Sequence, residues 1–168
     1  MRFLFHTFAT YNPPLNDIIS WELGTRAQTI LSLNATGFSV YSSTNLPPPD
    51  TTDAFGPGNA SALDPFFDIA RTVVQNRTNS NGNITGPQPL IQDAAAADPA
   101  SIGFAVLLAN WTGQDGGKID YAGAAQDQLD FLLQKVPRTP DGAISHRVAE
   151  VQLWYVGLFF LSSNVFNF

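Results

Sequence analysis

The residues with the greatest capacity for chemistry lie in one stretch, between Val136 and Trp154. This stretch holds an imidazole (His146), a guanidinium (Arg147) and an indole (Trp154). A guanidinium presents a planar fork of donors that matches a carboxylate. An indole combines a large apolar face with one N–H donor. The stretch is therefore the first candidate for a binding site.

The motifs of several enzyme classes are absent from the sequence. It contains no G-x-S-x-G, no G-x-G-x-x-G, no Walker loop and no H-E-x-x-H. The only histidines are His6 and His146, and there is no cysteine, which excludes disulfides, thiol nucleophiles and Cys-based metal sites. The segment from Gln114 to Lys118 lacks the carboxylate spacing of a calcium loop. We therefore expect neither a metal nor a cofactor.

Composition limits the class of protein. In 168 residues, 44% are hydrophobic and only 13% are charged, so the chain has enough apolar material for the core of one domain. The net charge is −6, and no run of Lys or Arg occurs, which argues against nucleic acid and anionic membrane as partners. No apolar stretch approaches the roughly 20 residues of a membrane span.

The sequence is rich in acceptor motifs for N-glycosylation. The pattern N-x-[ST] occurs at Asn34, Asn59, Asn76, Asn83 and Asn110. The Asn, Ser and Thr content predicts only about two such triplets by chance. The excess favours a glycosylated, extracellular protein. The start of the chain does not resemble a signal peptide, because the apolar run that begins at Phe3 is short and interrupted by a histidine.

Hydrophobic residues at helical spacing predict five helices. They run from about Asn16 to Leu33, from Asp64, from Asp98 to Ala109, from about Asp120 to Val136, and onward from Ser145. Asp64 and Asp98 each precede a proline, so we expect both to cap their helices. The short link 137–144 predicts that the last two helices form an antiparallel hairpin. The predicted fold is all-α.

The stretch that ends at Trp154 also carries a longer motif. Its residues are Pro137, Arg138, Thr139, Gly142, His146, Gln152 and Trp154. They resemble the pattern P-R-T-x-x-G-x-x-x-H, followed by Q-x-W, of the six-hairpin glycosidases of glycoside hydrolase families 88 and 105. The segment from Ala97 to Leu108 resembles the family segment whose Asp helps to hold the substrate. Tyr121-Ala-Gly-Ala-Ala resembles the barrel helix that follows, and the resemblance covers about Ile18 to Trp154.

The resemblance implies a fold, a ligand and a reaction. The family fold is an (α/α)6 barrel built from helical hairpins, and this chain would supply about its first half. Residues 17–154 would form this partial barrel, residues 1–16 an N-terminal segment, and residues 155–168 an atypical apolar tail. The substrate would be an oligosaccharide ending in a 4,5-unsaturated uronic acid. The family hydrates its C4=C5 double bond through an enzyme Asp, and the product collapses to release the neighbouring sugar.

One departure bears directly on activity. The family's catalytic Asp falls two residues after the tryptophan, and this position is Val156 here. The resemblance stops at Trp154, so the chain as given is expected to be inactive, with an altered or truncated end. A terminal helix or strand docked on the domain is the other interpretation of the tail. The function predicted is thus that of a hydrolase-like protein, with a non-catalytic carbohydrate-binding protein or an inactive fragment as alternatives.

Four residues are the predicted substrate contacts. Asp98 would position the substrate, although it also suits a helix cap. His146 would hydrogen-bond a hydroxyl or a carboxylate, or fill a structural role. Arg147 would pair with the uronate carboxylate, or lie solvated on the surface. Trp154 would stack on a sugar ring, or pack in the core.

Overall fold

The computed structural model describes residues 20–38, 47–50, 60–77 and 86–151. Within these ranges the chain is mostly helical and contains no strand, which confirms the prediction of an all-α fold. The α-helices are α1 (Ser20–Asn34), α2 (Asp64–Gln75), the single turn α3 (Ala97–Ala100), α4 (Gly103–Trp111) and α5 (Tyr121–Gln134). None of the helices described is long and apolar enough to cross a membrane.

The main core lies between α1, α2, α4 and α5. Its buried residues include Leu23, Ala27 and Leu31 of α1, Phe66, Ile69, Ala70 and Val73 of α2, Ala105, Val106 and Ala109 of α4, and Tyr121 and Ala124 of α5. The fully buried ring of Phe66 meets Phe67 edge to face, with 5.2 Å between the centroids. The described residues of the first and second predicted apolar stripes therefore face the core. In the fourth helix Tyr121 and Ala125 also face it, whereas Leu133 is 51% exposed.

A close approach between α1 and α3 depends on a glycine. A methyl group at Gly24 would lie 2.0 Å from Oγ of Ser101, well inside van der Waals contact. The same serine hydroxyl donates a 2.6 Å hydrogen bond to the backbone oxygen of Asp98. Gly24 thus brings α1 against the segment that carries a predicted site residue.

The predicted helix caps are partly wrong. The structure places Leu63 and Ala96 at the N-caps of α2 and α3, so Asp64 and Asp98 lie in the first turns and cap neither helix. The side chain of Asp120, in contrast, caps α5 by accepting a 2.8 Å hydrogen bond from the backbone N–H of Gly123. Asp64 still lies in the first turn of α2, near the positive end of the helix dipole, where negative charge is favourable.

The predicted third helix is interrupted. It divides into α3 and α4 at Ser101 and Ile102, which form a turn. The Ser101 hydroxyl bonds to the backbone of Asp98 and so competes with regular helical bonding. Gly103 follows directly and has a low helix propensity. Asp98 therefore sits on a short, separate turn and not on a long helix.

The predicted fifth helix is wrong over the described residues that should start it. Residues 137–147 form a tight reversal, with isolated antiparallel bridges that pair Arg138 with Ile144 and Ala95 with Arg147. Gly142, in the predicted link, has a φ of +92°, and none of the residues 145–151 is helical. No helical hairpin therefore forms between α5 and the described residues up to 151. The remainder of that prediction, beyond residue 151, lies outside the described residues.

Candidate functional site

Two segments that are distant in the sequence run side by side and form the candidate site. The backbone N–H of Ala96 donates to the oxygen of His146 at 2.7 Å, and the N–H of Val148 donates to the oxygen of Ala94 at 3.1 Å. These bonds attach the segment before α3 to the segment after the tight reversal. Because of this pairing, three of the four predicted contact residues, Asp98, His146 and Arg147, occupy one region of the molecule.

Asp98 and His146 face each other at the centre of this region. Oδ1 of Asp98 lies 3.9 Å from Nδ1 of His146, and their side chains are 24% and 18% exposed. Nδ1 of His146 is itself buried, although both side chains keep some exposed surface. A carboxylate and an imidazole at this separation can together accept and donate hydrogen bonds to a polar ligand.

Burial sets the ionisation of Asp98. It raises the pKa of the Asp98 carboxyl above its ordinary value, and the positive charges of His146 and Arg147 oppose this effect, while Asp93 adds to it. A raised pKa means that the ionised form is the less stable one in the folded chain. This cost to stability is absent at low pH and is reached in full once the pH exceeds the folded pKa. Burial therefore disfavours the ionised form of Asp98 in the folded chain.

Asp93 belongs to the site, although its sequence context did not reveal it. One carboxylate oxygen accepts a 2.8 Å hydrogen bond from the backbone N–H of Ala95, two residues further on. The other accepts a hydrogen bond from the hydroxyl of Ser20, the first described residue of α1. An Asp side chain that accepts from the backbone N–H two residues later is common in turns. The sequence Asp93-Ala-Ala95 therefore does not by itself indicate a functional site.

A small apolar cluster packs against the two segments that carry the site. It consists of Ala96, Phe131, Leu132 and Val136, with Ala100, Ile144 and Val148 packed against it. The cluster joins α5 to both segments that carry the polar residues. Phe131 and Leu132 are buried helix residues, so the site packs against α5.

Arg147 is half-buried, and its backbone is fixed by a neighbour. Its N–H donates to Oγ of the buried Ser145 at 3.2 Å, and that hydroxyl donates to the backbone oxygen of Glu150 at 2.8 Å. Ser145 therefore holds a turn and does not open a helix. The turn fixes the point from which the Arg147 side chain extends.

The other predicted site residues fall into two groups. Trp154 and Val156 lie outside the described residues, as do the glycosylation motifs at Asn59 and Asn83. The remaining three asparagines, at positions 34, 76 and 110, are all exposed. Asn34 and Asn76 donate through Nδ2 to backbone oxygens, of Ala62 at 3.1 Å and of Thr72 at 2.9 Å.

A separate polar network joins α2 to the start of α5. Tyr121 donates to one oxygen of Asp115 at 2.6 Å, and Arg71 donates to the other at 2.9 Å. The hydrogen bond from Tyr121 is the main cause that holds the pKa of Asp115 low, whereas burial raises the pKa of Tyr121. Asp115 adopts a φ of +58°, which is uncommon for a residue with a side chain. Its oxygens bind protein donors, so we assign this network to structure.

The described residues contain no group of three His, Asp or Glu side chains arranged to hold a metal ion. Comparisons with protein-family models, with curated proteins and with solved structures gave no match. The class of protein is defined here by the fold and the site alone. It is an all-α protein with a half-buried cluster of a carboxylate, an imidazole and a guanidinium.

Proposed function

We propose that this chain binds an oligosaccharide that ends in a 4,5-unsaturated uronic acid, at the cluster of Asp98, His146 and Arg147. The observation that carries the proposal is the proximity of Asp98 and His146, which are 48 positions apart in the sequence and 3.9 Å apart in space. The motif resemblance of both segments to the six-hairpin glycosidases supports the same assignment. In this proposal the chain forms part of an (α/α)6 barrel.

The chemistry of the cluster suits a uronate. Asp98 accepts hydrogen bonds from sugar hydroxyls, and Nε2 of the His146 imidazole can donate or accept one, depending on the tautomer. The guanidinium of Arg147 supplies the charge that a uronate carboxylate requires, through a bidentate pair. Sugar recognition needs such a mixture, because each hydroxyl is both donor and acceptor. Trp154 remains the proposed stacking partner.

We further propose that binding occurs without hydration. The family reaction needs a carboxylic acid at the position that Val156 occupies. Hydration catalysed by Asp98 is the second candidate function, and the raised pKa of its carboxyl favours it, since a proton donor must be protonated for part of the time near neutral pH.

Calorimetric titration with an unsaturated uronyl disaccharide tests the proposal. We expect saturable binding, and a neutral, saturated disaccharide of the same length should bind at least about tenfold more weakly, since it lacks the charged partner. The absorbance of the C4=C5 bond should stay constant during incubation. Equal affinity for the two sugars would refute the proposed ligand. Loss of absorbance that disappears in an Asp98→Asn variant would establish the second candidate.

An extracellular, glycosylated protein is part of the same proposal. Its support is the excess of acceptor motifs together with the exposure of Asn34, Asn76 and Asn110. Exposure is required for an acceptor asparagine, because the attached glycan is bulky and solvated.

A further inference from the structure

The carboxylate of Asp93 connects three parts of the chain around the site. Through Ser20 it contacts α1, through Ala95 it fixes the backbone before α3, and it lies close enough to Asp98 to affect its ionisation. Ser20 is only 1% exposed, so its hydroxyl has little access to water. The hydrogen bond therefore fixes the rotamer of Asp93.

Ala95 links Asp93 to the segment that carries His146 and Arg147. It forms the antiparallel bridge with Arg147, and the residues on either side of Ala95 make the two backbone hydrogen bonds to His146 and Val148. A change in the backbone at Ala95 would shift both of these segments. The position of Asp93 thus governs where His146 and Arg147 stand relative to Asp98.

We propose that Asp93, oriented by Ser20, is a positioning residue that sets the geometry of the Asp98–His146–Arg147 cluster and thereby its affinity for a uronate. The affinity part of this inference rests on the function proposed above. The geometric part concerns the free protein and does not require a ligand. Asp93 is not a contact residue in this proposal, because both of its oxygens are occupied by protein donors.

Replacing Asp93 by asparagine or by alanine distinguishes the effect of its hydrogen bonds from the effect of its charge. In Asp93→Asn the side-chain oxygen can still accept from Ala95, and the amide nitrogen can donate to the Ser20 hydroxyl. The geometry is kept while a negative charge beside Asp98 is removed. In Asp93→Ala both hydrogen bonds are lost. Ser20→Ala removes one of the two and leaves the charge in place.

The affinity readout is calorimetric titration with the unsaturated uronyl disaccharide. We expect Asp93→Ala to weaken binding about five- to tenfold and Ser20→Ala about threefold. Asp93→Asn should bind at least as tightly as the wild type, because the positioning is retained and a carboxylate that repels the uronate is gone. An Asp93→Asn variant as weak as Asp93→Ala would overturn the inference, as would wild-type affinity in Asp93→Ala.

Nuclear magnetic resonance of the free protein gives the second readout. The imidazole resonances of His146 should move in Asp93→Ala and stay in place in Asp93→Asn. The carboxyl carbon of Asp98 should titrate at a lower pH in Asp93→Asn, because the facing groups are then His146 and Arg147 without the neighbouring carboxylate. Wild-type resonances and titration in both variants would overturn the inference. If the wild type does not bind the disaccharide, the proposed function fails and these spectra still decide the positioning role.

Should Asp93→Ala not fold, Ser20→Ala provides the same test with a smaller expected change. Urea unfolding of each variant identifies a loss of folding directly. A Ser20→Ala protein that is folded, binds as the wild type does and shows unchanged His146 resonances would contradict the proposal.

Discussion

Replacement of Asp127 by alanine is expected to lower the free energy of unfolding by about 3–5 kcal/mol. Asp127 on α5 forms an ion pair with Arg77, which follows α2. The Arg77 side chain is 7% exposed and that of Asp127 is 17% exposed, so solvent screens the pair poorly. In the variant the guanidinium charge stays buried without this carboxylate, and that desolvation is the source of the large effect.

We expect the ion pair itself to contribute little net stability. Burial raises the pKa of Asp127 even though the charge of Arg77 opposes it, so desolvation outweighs the attraction. For that reason a double variant, Arg77→Met with Asp127→Leu, should regain at least half of the loss, because no buried charge then remains in the pair.

Urea unfolding of the two variants and of a control tests this prediction. The control is Asp130→Ala, which removes a carboxylate from the same helix. This carboxylate accepts an exposed hydrogen bond from the side chain of Gln126. It should change stability by no more than about 0.5 kcal/mol. If Asp127→Ala were as stable as Asp130→Ala, the buried pair would not have the role described.

Replacement of Arg147 by alanine is expected to weaken binding of the unsaturated disaccharide by about 10- to 100-fold. Charge-assisted hydrogen bonds contribute about 1.5–3 kcal/mol, and the guanidinium is the cluster's fixed positive charge in this proposal. Arg147→Lys should lie between the alanine variant and the wild type, because an ammonium keeps the charge but cannot bind a carboxylate through a planar fork.

The matched control for Arg147 is Arg138→Ala. Arg138 lies in the same reversal, but its side chain is exposed and donates to the backbone oxygen of Gly142 at 3.0 Å. Its removal should change affinity less than about twofold, since exposed charges are screened. Calorimetry at physiological salt compares the variants. Equal losses for Arg138→Ala and Arg147→Ala would show a nonspecific effect of charge in place of a site.

The sequence was a good guide where regular spacing and burial agree. The stripe that includes Leu23, Ala27 and Leu31 predicted α1, and Asp120 marked the start of α5 correctly. The pattern after Ser145 was misleading. Val148 and Val151 have helical spacing, yet the positive φ of Gly142 and the hydrogen bonds of the Ser145 hydroxyl favour a turn in this region.

The candidate site was predicted in part. Asp98 and His146 were named from the family resemblance and Arg147 from its planar guanidinium, and the three lie together. Asp93 and Ser20 were not predicted as site residues. Their hydrogen bond joins positions 73 residues apart, so no local sequence pattern indicates it. The helix cap predicted for Asp98 was wrong because the helical turn begins earlier, with Ala96 at the N-cap. The burial of Asp98 was not predictable from local sequence. Its burial depends on the segment that carries His146, which is a tertiary contact.

The central claim is that a uronate binds beside His146, and the imidazole signal of that residue tests it most directly. In a His6→Gln variant, His146 is the sole histidine, so its resonances need no further assignment. Titration with the unsaturated uronyl disaccharide should shift these resonances to saturation, whereas the neutral disaccharide should need at least about tenfold higher concentrations for the same shift. Resonances that stay unmoved at concentrations where calorimetry shows the uronate bound would contradict the site.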